Sequence, residues 1–433
     1  MKKKYKMKNN VTTLFEHSSS EQQTGKVIRE VRKLNKSFFK NDGETGLFNL
    51  ISNNRIKAGS YVGIVQVGRR TIEVLPKVLS ERAENSEESF VRKNLLFMLS
   101  YVNKLDLKET DIAKIKKTTD LFEVIIHLFA KNLLELLKKD FVRNYNQYEN
   151  NNNFLKGKLL ISEQIKFNLF NESKFYCRYD VFTENHLLNQ ILKVTVTKLL
   201  KFKVSSQTYK LLSNCAFILQ DIPLKTITFQ DCNQIKFNRL NGKYKTVFNL
   251  AKLLLFGNST ALNSSNIESY SIMFDMNKLF EEFIAQFIRR NFKEKIEDIK
   301  TPKASEHVFL GKPPVNFTRF QLQPDIYIKF IEGKILIIDT KYKELKQGTK
   351  NYGVSQSDIY QMVMYGLRYF HKEEVIKEII LLYPQYGFDI NEKNIELQTE
   401  ENIIIKIKTI NLHIDLLKNK DKLKNKLKEI IGN

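Results

Sequence analysis

Gln323-Pro324-Asp325-Ile326-Tyr327-Ile328-Lys329-Phe330 and Lys334-Ile335-Leu336-Ile337-Ile338-Asp339-Thr340-Lys341 are two strand-like runs rich in isoleucine, separated by the turn signal Ile331-Glu332-Gly333. Folding the chain about Glu332 sets Asp325 opposite Asp339, each seven residues from that point. Directly opposed residues of antiparallel strands hold their Cβ atoms about 4.5–5.5 Å apart, so two like charges meet there and need neutralising. A divalent cation does this well, and hard oxygen donors suit Mg²⁺. Lys341 follows Asp339 by two, which puts both side chains on one face of the strand. Thr340 points the other way but keeps its backbone carbonyl within reach of a metal. Two carboxylates and an ammonium at one end of a hairpin can hold Mg²⁺, polarise a phosphodiester and position a water. Lys341 would stabilise charge developing on the phosphorus oxygens.

The flanking segments extend this pattern. Upstream, the spacing predicts a helix over residues 272–292, with Met276, Leu279, Phe280, Phe283, Ile284, Phe287 and Ile288 as its buried stripe. Glu281 falls at the edge of that stripe and can look toward the sheet as a third acid, whereas Glu282 faces solvent. Downstream, a helix over 355–370 opens with Ser355 and Asp358, a capping signal with a carboxylate at the positive end. Asp358, Gln361 and Tyr365 lie along one stripe, where Gln361 and Tyr365 could bond a phosphate or orient water. Strands are expected at 376–383 and 403–410, then a basic amphipathic terminus that packs through Leu423, Leu427 and Ile430. Helix, paired strands, helix and strand form an α/β sandwich pattern.

Farther upstream the texture changes. Gly59 to Lys77 reads as a hairpin whose tip, Gly68-Arg69-Arg70, is basic. Residues 90–145 look helical, with Phe122, Ile125, Ile126, Phe129, Leu133, Leu136 and Leu137 at helical spacing. A polar break at Asn150–Asn153 and a further helix over 185–201 follow, and the small polar stretch 258–265 marks the main boundary. The chain therefore reads as α/β (α+β overall), with a β-containing N-terminal region at 1–89, a largely helical middle at 90–262 and the α/β domain at 263–433.

With 433 residues there is room for two or three domains, and 42% hydrophobic with 11% aromatic residues excludes global disorder. Seventy-one Lys and Arg against 48 Asp and Glu leave +23, which favours a polyanionic partner such as nucleic acid. Coding drift toward Lys, Asn and Ile produces the same excess, so charge alone decides little. Cys177, Cys215 and Cys232 lie far apart and read as reduced, buried thiols. No N-terminal signal and no run of about 18 apolar residues are present, so a cytoplasmic protein with no membrane partner is expected.

Asp325, Asp339-Thr340-Lys341 and Glu281 resemble the PD-(D/E)xK nuclease signature, and Gln361-x-x-x-Tyr365 is similar to the helix motif of its RecB-like branch. Phe274-Asp275-Met276-Asn277-Lys278-Leu279-Phe280-Glu281 and Asp358-x-Tyr360-Gln361 resemble the McrC family, the nuclease subunits of McrBC- and LlaJI-type restriction systems. Ile72-Glu73-Val74-Leu75-Pro76-Lys77 and Tyr179-Asp180-x-Phe182-Thr183-x-Asn185 with Leu188-Asn189 agree, so the likeness runs from about residue 60 to 411. The resemblance implies a C-terminal PD-(D/E)xK restriction-endonuclease-like sandwich acting as a Mg²⁺-dependent endonuclease on double-stranded DNA. Asp325, Asp339, the Thr340 carbonyl and Glu281 would hold the metal, and Gln361 and Tyr365 would position substrate.

The same resemblance implies a hexameric McrB-like AAA+ GTPase as partner. The N-terminal region would enter its channel, the motor would read the DNA, and GTP would be bound by the motor and not by this chain. Arg69 and Arg70 are candidates for that contact, although a solvated hairpin tip carries arginines equally well. Two copies meeting transiently would cut both strands. Two other readings stand beside this one: a non-catalytic adaptor that activates the motor and holds DNA electrostatically, and a stand-alone RecB-like exonuclease.

Overall fold

The computed structural model describes residues 11–38, 47–67, 70–77, 88–102, 109–113, 120–139, 141–257, 269–301, 308–309, 321–369, 377–385, 395–399 and 403–432. They form two compact units, residues 1–121 with 268–433 and residues 122–267. These units cut the chain elsewhere than the sequence texture does at 89/90 and 262/263, for reasons that lie in one strand.

The N-terminal segment contributes β1 (Val11–Phe15), α1 (Gly25–Phe38), β2 (Phe48–Ile51), β3 (Arg55–Ala58), β4 (Tyr61–Val67), β5 (Arg70–Leu75), α2 (Glu88–Tyr101) and α3 (Glu109–Ala113). The expected hairpin is β4–β5, paired antiparallel from Gly63 against Val74 to Val67 against Arg70. Its tip, Gly68 and Arg69, lies outside the described residues, and Arg70 opens β5. Glu73 explains why a carboxylate stands inside this apolar strand. It is fully buried and receives Arg92 Nε at 2.7 Å, Arg92 Nη2 at 2.6 Å, Thr13 Oγ1 at 3.1 Å and the Leu121 amide at 2.9 Å. One side chain thereby ties β5 to β1, to α2 and to the Leu121 amide.

The second unit holds α4 (Leu121–Lys139), β6 (Asn144–Asn152), β7 (Lys158–Leu159), α5 (Ile161–Asn168), β8 (Phe175–Thr183), α6 (Leu187–Leu199), α7 (Ser206–Ile218), α8 (Phe229–Gln234) and α9 (Lys245–Phe256). It is mostly helical, but the asparagine-rich stretch is a strand and not a break. β6 pairs with β8 over nine residues, from Asn144 against Thr183 to Asn152 against Phe175. Cross-strand partners outweigh the low strand propensity of asparagine here: Tyr145 meets Phe182 at 4.9 Å, and Arg178 bonds Glu149 at 2.7 Å. Thr195, which interrupts the α6 stripe, is buried with its hydroxyl on the Ile191 carbonyl at 2.8 Å. The three cysteines are free and buried, as expected.

The chain then returns with β9 (Ser269–Asp275), α10 (Met276–Asn291), β10 (Ile296–Lys300), β11 (Val308–Phe309), β12 (Gln321–Leu322), β13 (Ile326–Phe330), β14 (Ile335–Thr340), α11 (Gln356–Tyr369), β15 (Lys377–Pro384), β16 (Ile395–Gln398), β17 (Ile403–Ile410) and α12 (Lys420–Ile430). Residues 272–275 are therefore strand where the spacing predicts helix. β9 pairs along the whole of β4, and Asp275 caps α10 by accepting the Asn277 amide at 2.9 Å. This pairing closes the sheet β1-β5-β4-β9, which joins the two ends of the sequence in one unit.

The second large sheet runs β10-β13-β14-β15-β17-β16. β14, β15 and β17 are parallel, and the outer pairs are antiparallel. Its central strands read as near-continuous apolar runs, Ile335–Ile338 and Ile379–Tyr383, the pattern of strands covered on both faces. Helix α11 packs through Met362 and Tyr365 on Ile337, Ile379, Leu381, Ile403 and Ile405. Gly366 permits this approach, since a Cβ there would stand 2.6 Å from Ile403 Cδ1. α12 buries Leu423, Leu427 and Ile430, the three positions its spacing predicts. Among the described residues, no helix is long and apolar enough to cross a membrane.

Replacing Arg92 by Leu strands the Glu73 carboxylate without its cation. Loss of one partner of a buried pair costs about 3–5 kcal/mol. Urea denaturation of Arg92→Leu is expected to show a loss of that size with an unchanged m-value.

Candidate active site

The β13–β14 ladder pairs Ile326 with Ile338 and Lys329 with Ile335, so the next step of the same register sets Asp325 opposite Asp339. The turn closes with the Gly333 amide on the Phe330 carbonyl at 2.9 Å, and Gly333 takes a φ of +87° that a side chain would resist. The hairpin register expected from the sequence is found from Ile326 to Lys329, one residue short of Asp325.

Asp339 is 1% exposed, and neither of its carboxylate oxygens has a well-formed hydrogen bond. Lys341 Nζ stands 2.7 Å from Asp339 Oδ2, a close ionic contact without hydrogen-bond geometry. Burial and the facing Asp325 push the Asp339 carboxyl up to about 7. Burial raises Asp325 as well, opposed by two donors from Thr340: its amide at 2.7 Å and its hydroxyl at 2.8 Å, both on Asp325 Oδ2. Strand alternation alone turns the Thr340 side chain away from the acids. The structure differs because Asp325 sits in a bend just before β13, which brings its carboxylate to the end of β14.

Lys341 Nζ also donates to Gln361 Oε1 at 3.2 Å. Gln361 Nε2 donates to the Tyr365 hydroxyl at 2.7 Å, which donates to the Gln323 carbonyl at 2.8 Å. One turn on, the Tyr369 hydroxyl donates to the Leu322 carbonyl at 2.6 Å. Helix α11 is therefore fastened twice to the segment that leads into Asp325. Tyr365 is 1% exposed with its hydroxyl engaged on both sides, by Gln361 and the Gln323 carbonyl. Burial would lower the Lys341 ammonium, but Asp339 and Asp325 hold it above the ordinary lysine range.

Glu281 is half-buried on α10, and burial together with Asp325, Glu282 and Asp339 raises its carboxyl to about 7. It thus shares the field of the two aspartates, as its place on the helix suggests. Glu282 is half-buried too, where the helical pattern turns it to solvent. Asp358, 7% exposed, takes Lys343 Nζ at 3.3 Å, and its amide bonds Ser355 Oγ at 3.2 Å. Its charge reaches Asp339 and Lys341. The capping signal marked Asp358, but nothing in the sequence joined it to Lys343.

The donor set suits a hard cation. Asp339 presents one buried oxygen, Oδ1, that nothing bonds, and a second with only the Lys341 ammonium beside it, an incomplete set that native proteins avoid unless a ligand completes it. Among the described residues no three His, Cys, Asp or Glu side chains come together so as to hold a metal ion, so Glu281 does not complete a triad with Asp325 and Asp339. Mg²⁺ is commonly held by one or two carboxylates, with waters and substrate phosphate filling the remaining positions. Asp325 and Asp339 meet that demand.

Comparison with known proteins gives the family. Residues 56–384 match the family described as McrBC 5-methylcytosine restriction system component. The chain belongs to this family. It is 22% identical over 332 residues to the type IV methyl-directed restriction enzyme EcoKMcrBC of Escherichia coli strain K12, spanning 71% of this chain and 93% of that protein. Among solved structures it is similar to a chain of the half-complex from the tetradecameric assembly of Thermococcus gammatolerans McrB AAA+ hexamers with bound McrC. That likeness has a TM-score of 0.73 and 23% identity, covering 96% of this chain and all of the other. A chain of the Thermococcus gammatolerans McrBC complex matches at TM-score 0.54 and 27% identity, over 65% of this chain and 88% of that one. The family match spans both the Glu73 sheet and the Asp339 hairpin of this McrBC-family chain.

The carboxylates carry a pH signature. In the unfolded chain Asp339 and Glu281 lose their protons near the ordinary carboxylate range, whereas in the metal-free folded protein they keep them to about 7. Their burial therefore costs nothing below about pH 4 and destabilises the fold progressively as pH rises from there to 7. Asp339→Asn is expected to melt above wild type at pH 8 and close to it at pH 4, measured by thermal denaturation in EDTA.

Proposed function

We propose that this chain is the nuclease subunit of an McrBC-type restriction system, a Mg²⁺-dependent PD-(D/E)xK endonuclease that hydrolyses DNA phosphodiesters. The observation that carries the reading is the buried Asp339 carboxylate, one oxygen without a partner and the other against Lys341, in the field of Asp325. A fold gains no stability from two facing, raised carboxylates, so a ligand is the simplest reason to keep them. Mg²⁺, when bound, supplies Lewis-acid polarisation of a phosphoryl oxygen. Asp325 and Asp339 would hold it, with Glu281 at the rim.

The protein's own part is positioning. Thr340 fixes one oxygen of Asp325 with two donors. Gln361, held by Tyr365, accepts from Lys341 and so sets where the ammonium stands. From there Lys341 offers its remaining protons to the negative charge that grows on the phosphorus oxygens. Glu281, raised to about 7, can take or return a proton near neutral pH.

The partner follows from the relatives: the solved assembly joins McrB AAA+ hexamers with McrC. We extend this to an AAA+ GTPase partner for this chain, which would use the GTP, with Arg69 and Arg70 near the contact. A purely adaptor role gives no reason for Asp325 and Asp339 to face each other, which favours catalysis.

Cleavage of methylated duplex DNA is expected from this chain with its AAA+ partner, GTP and Mg²⁺. Asp339→Ala and Lys341→Ala should each lower cleavage by at least about 100-fold while the partner's GTPase stays stimulated. Cutting at the wild-type rate by either variant would sink the assignment. Tyr365→Phe removes the hydroxyl that holds Gln361, and should lower kcat about tenfold with KM unchanged; a rise in KM alone would instead mean direct substrate contact.

A further inference from the structure

A separate cavity of about 440 Å³ opens where the ends of β1 and β5 meet the N-terminus of α10 and the segment after β14, lined by Glu16, His17, Lys77, Asn277, Lys343 and Lys346 among others. Glu16 organises it. Its Oε2 receives the Lys77 amide at 3.0 Å and the Tyr342 hydroxyl at 2.7 Å, which binds three chain segments around the opening. Its Oε1 is buried without a hydrogen-bond partner, and the residue is 2% exposed. A buried polar atom in that condition calls for a ligand to complete it.

The other groups indicate what the ligand is. Three lysines face the cavity against Glu344 and Glu16, and their charge attracts phosphate. Lys77 meets Glu344 at 3.5 Å through an exposed contact weak enough for a phosphate to displace, while Lys343 holds Asp358 at 3.3 Å and has further protons to offer. Burial raises Glu16 to about 7 against the lowering effect of Tyr342 and Lys77, with Asp275 adding to the rise. Near neutral pH it can therefore carry a proton and stop repelling a phosphate in the cavity.

Position completes the case. Asn277 at the cavity and Glu281 beside the aspartates are four residues apart on one face of α10, about 6 Å along the helix. That distance matches one to two nucleotide steps at about 3.4 Å each. We propose that the cavity seats a backbone phosphate of the DNA strand one or two nucleotides from the scissile bond, held by Lys77, Lys343 and Lys346. This inference rests on the nuclease reading for its substrate but not for its test.

The test is equilibrium binding of a duplex oligonucleotide to the full chain in EDTA, so that cleavage plays no part. Lys343→Ala/Lys346→Ala should weaken binding about tenfold and reduce the slope of log K against log salt by about 2. Glu16→Gln, which is permanently uncharged, should stay within about twofold of wild type. Lys422→Ala/Lys424→Ala, on the exposed face of α12, should change neither quantity. An unaltered affinity in the first variant, or an equal loss in the α12 variant, overturns the phosphate seat. In the cleavage assay with the AAA+ partner, the first variant should raise KM and spare kcat. Wild-type protein that binds DNA through these lysines yet never cuts would refute the nuclease reading and leave the seat standing.

Discussion

Two carboxylates facing each other across the buried end of a hairpin are an electrostatic conflict, and much of the larger sheet is arranged around it. The β13–β14 register dictates the meeting of Asp325 and Asp339. Everything nearby moderates it: Thr340 spends both its donors on Asp325, Lys341 places its charge against Asp339, and Gln361 fixes the lysine from the far side. The moderation is incomplete, since both acids remain raised and Asp339 Oδ1 remains without a partner. A network meant only to stabilise would satisfy those oxygens or replace them with apolar groups. Incomplete neutralisation is what a site for a cation requires.

The helices that serve this hairpin are anchored independently of it. α11 is seated by Gly366 against Ile403 and by two tyrosine hydroxyls on the Leu322–Gln323 carbonyls, so Gln361 is positioned by contacts that no substrate or metal supplies. α10 starts where β9 leaves the N-terminal sheet, its first amide bonded to the Ser60 carbonyl at 3.1 Å. Glu73 and Arg92 lock that same sheet to α2, and α2 packs on α10. A buried ion pair in the N-terminal segment thus belongs to the same body that carries Glu281. This gives the Ile72–Lys77 phrase a physical content: Glu73 is the hub of the sheet, and the Lys77 amide holds Glu16.

What could be read from the sequence was whatever depends on local spacing. The turn at Gly333, the alternation of Asp339 and Lys341, the cap at Ser355 and the α12 stripe all follow from periods of two or 3.6 residues, and all are found. What could not be read depends on partners distant in the chain. Residues 272–275 continue the apolar pattern of α10, and only the presence of β4 makes them a strand. Asn144–Asn152 has the composition of a loop, and only β8 makes it a strand. Thr340 was legible as a strand residue but not as the donor to Asp325, because the bend at Asp325 is a local departure from strand geometry. The Lys343–Asp358 contact and the Glu16–Tyr342 bond join segments 15 and 326 residues apart and leave no periodic trace.

These failures share a cause that bears on function. Repulsive or unsatisfied groups persist where surrounding structure over-determines them, and such groups are invisible to patterns that reward burial and pairing. Asp339 and Glu16 are the two clearest instances in the larger unit, each buried, each raised by burial, each with an oxygen that nothing bonds. They sit on either side of the Lys341–Lys343 segment, where Tyr342 packs its ring 5.8 Å from Phe280 while its hydroxyl reaches Glu16. A shift of this segment that moved Lys341 relative to Asp339 would also move Lys343 relative to the cavity of Glu16.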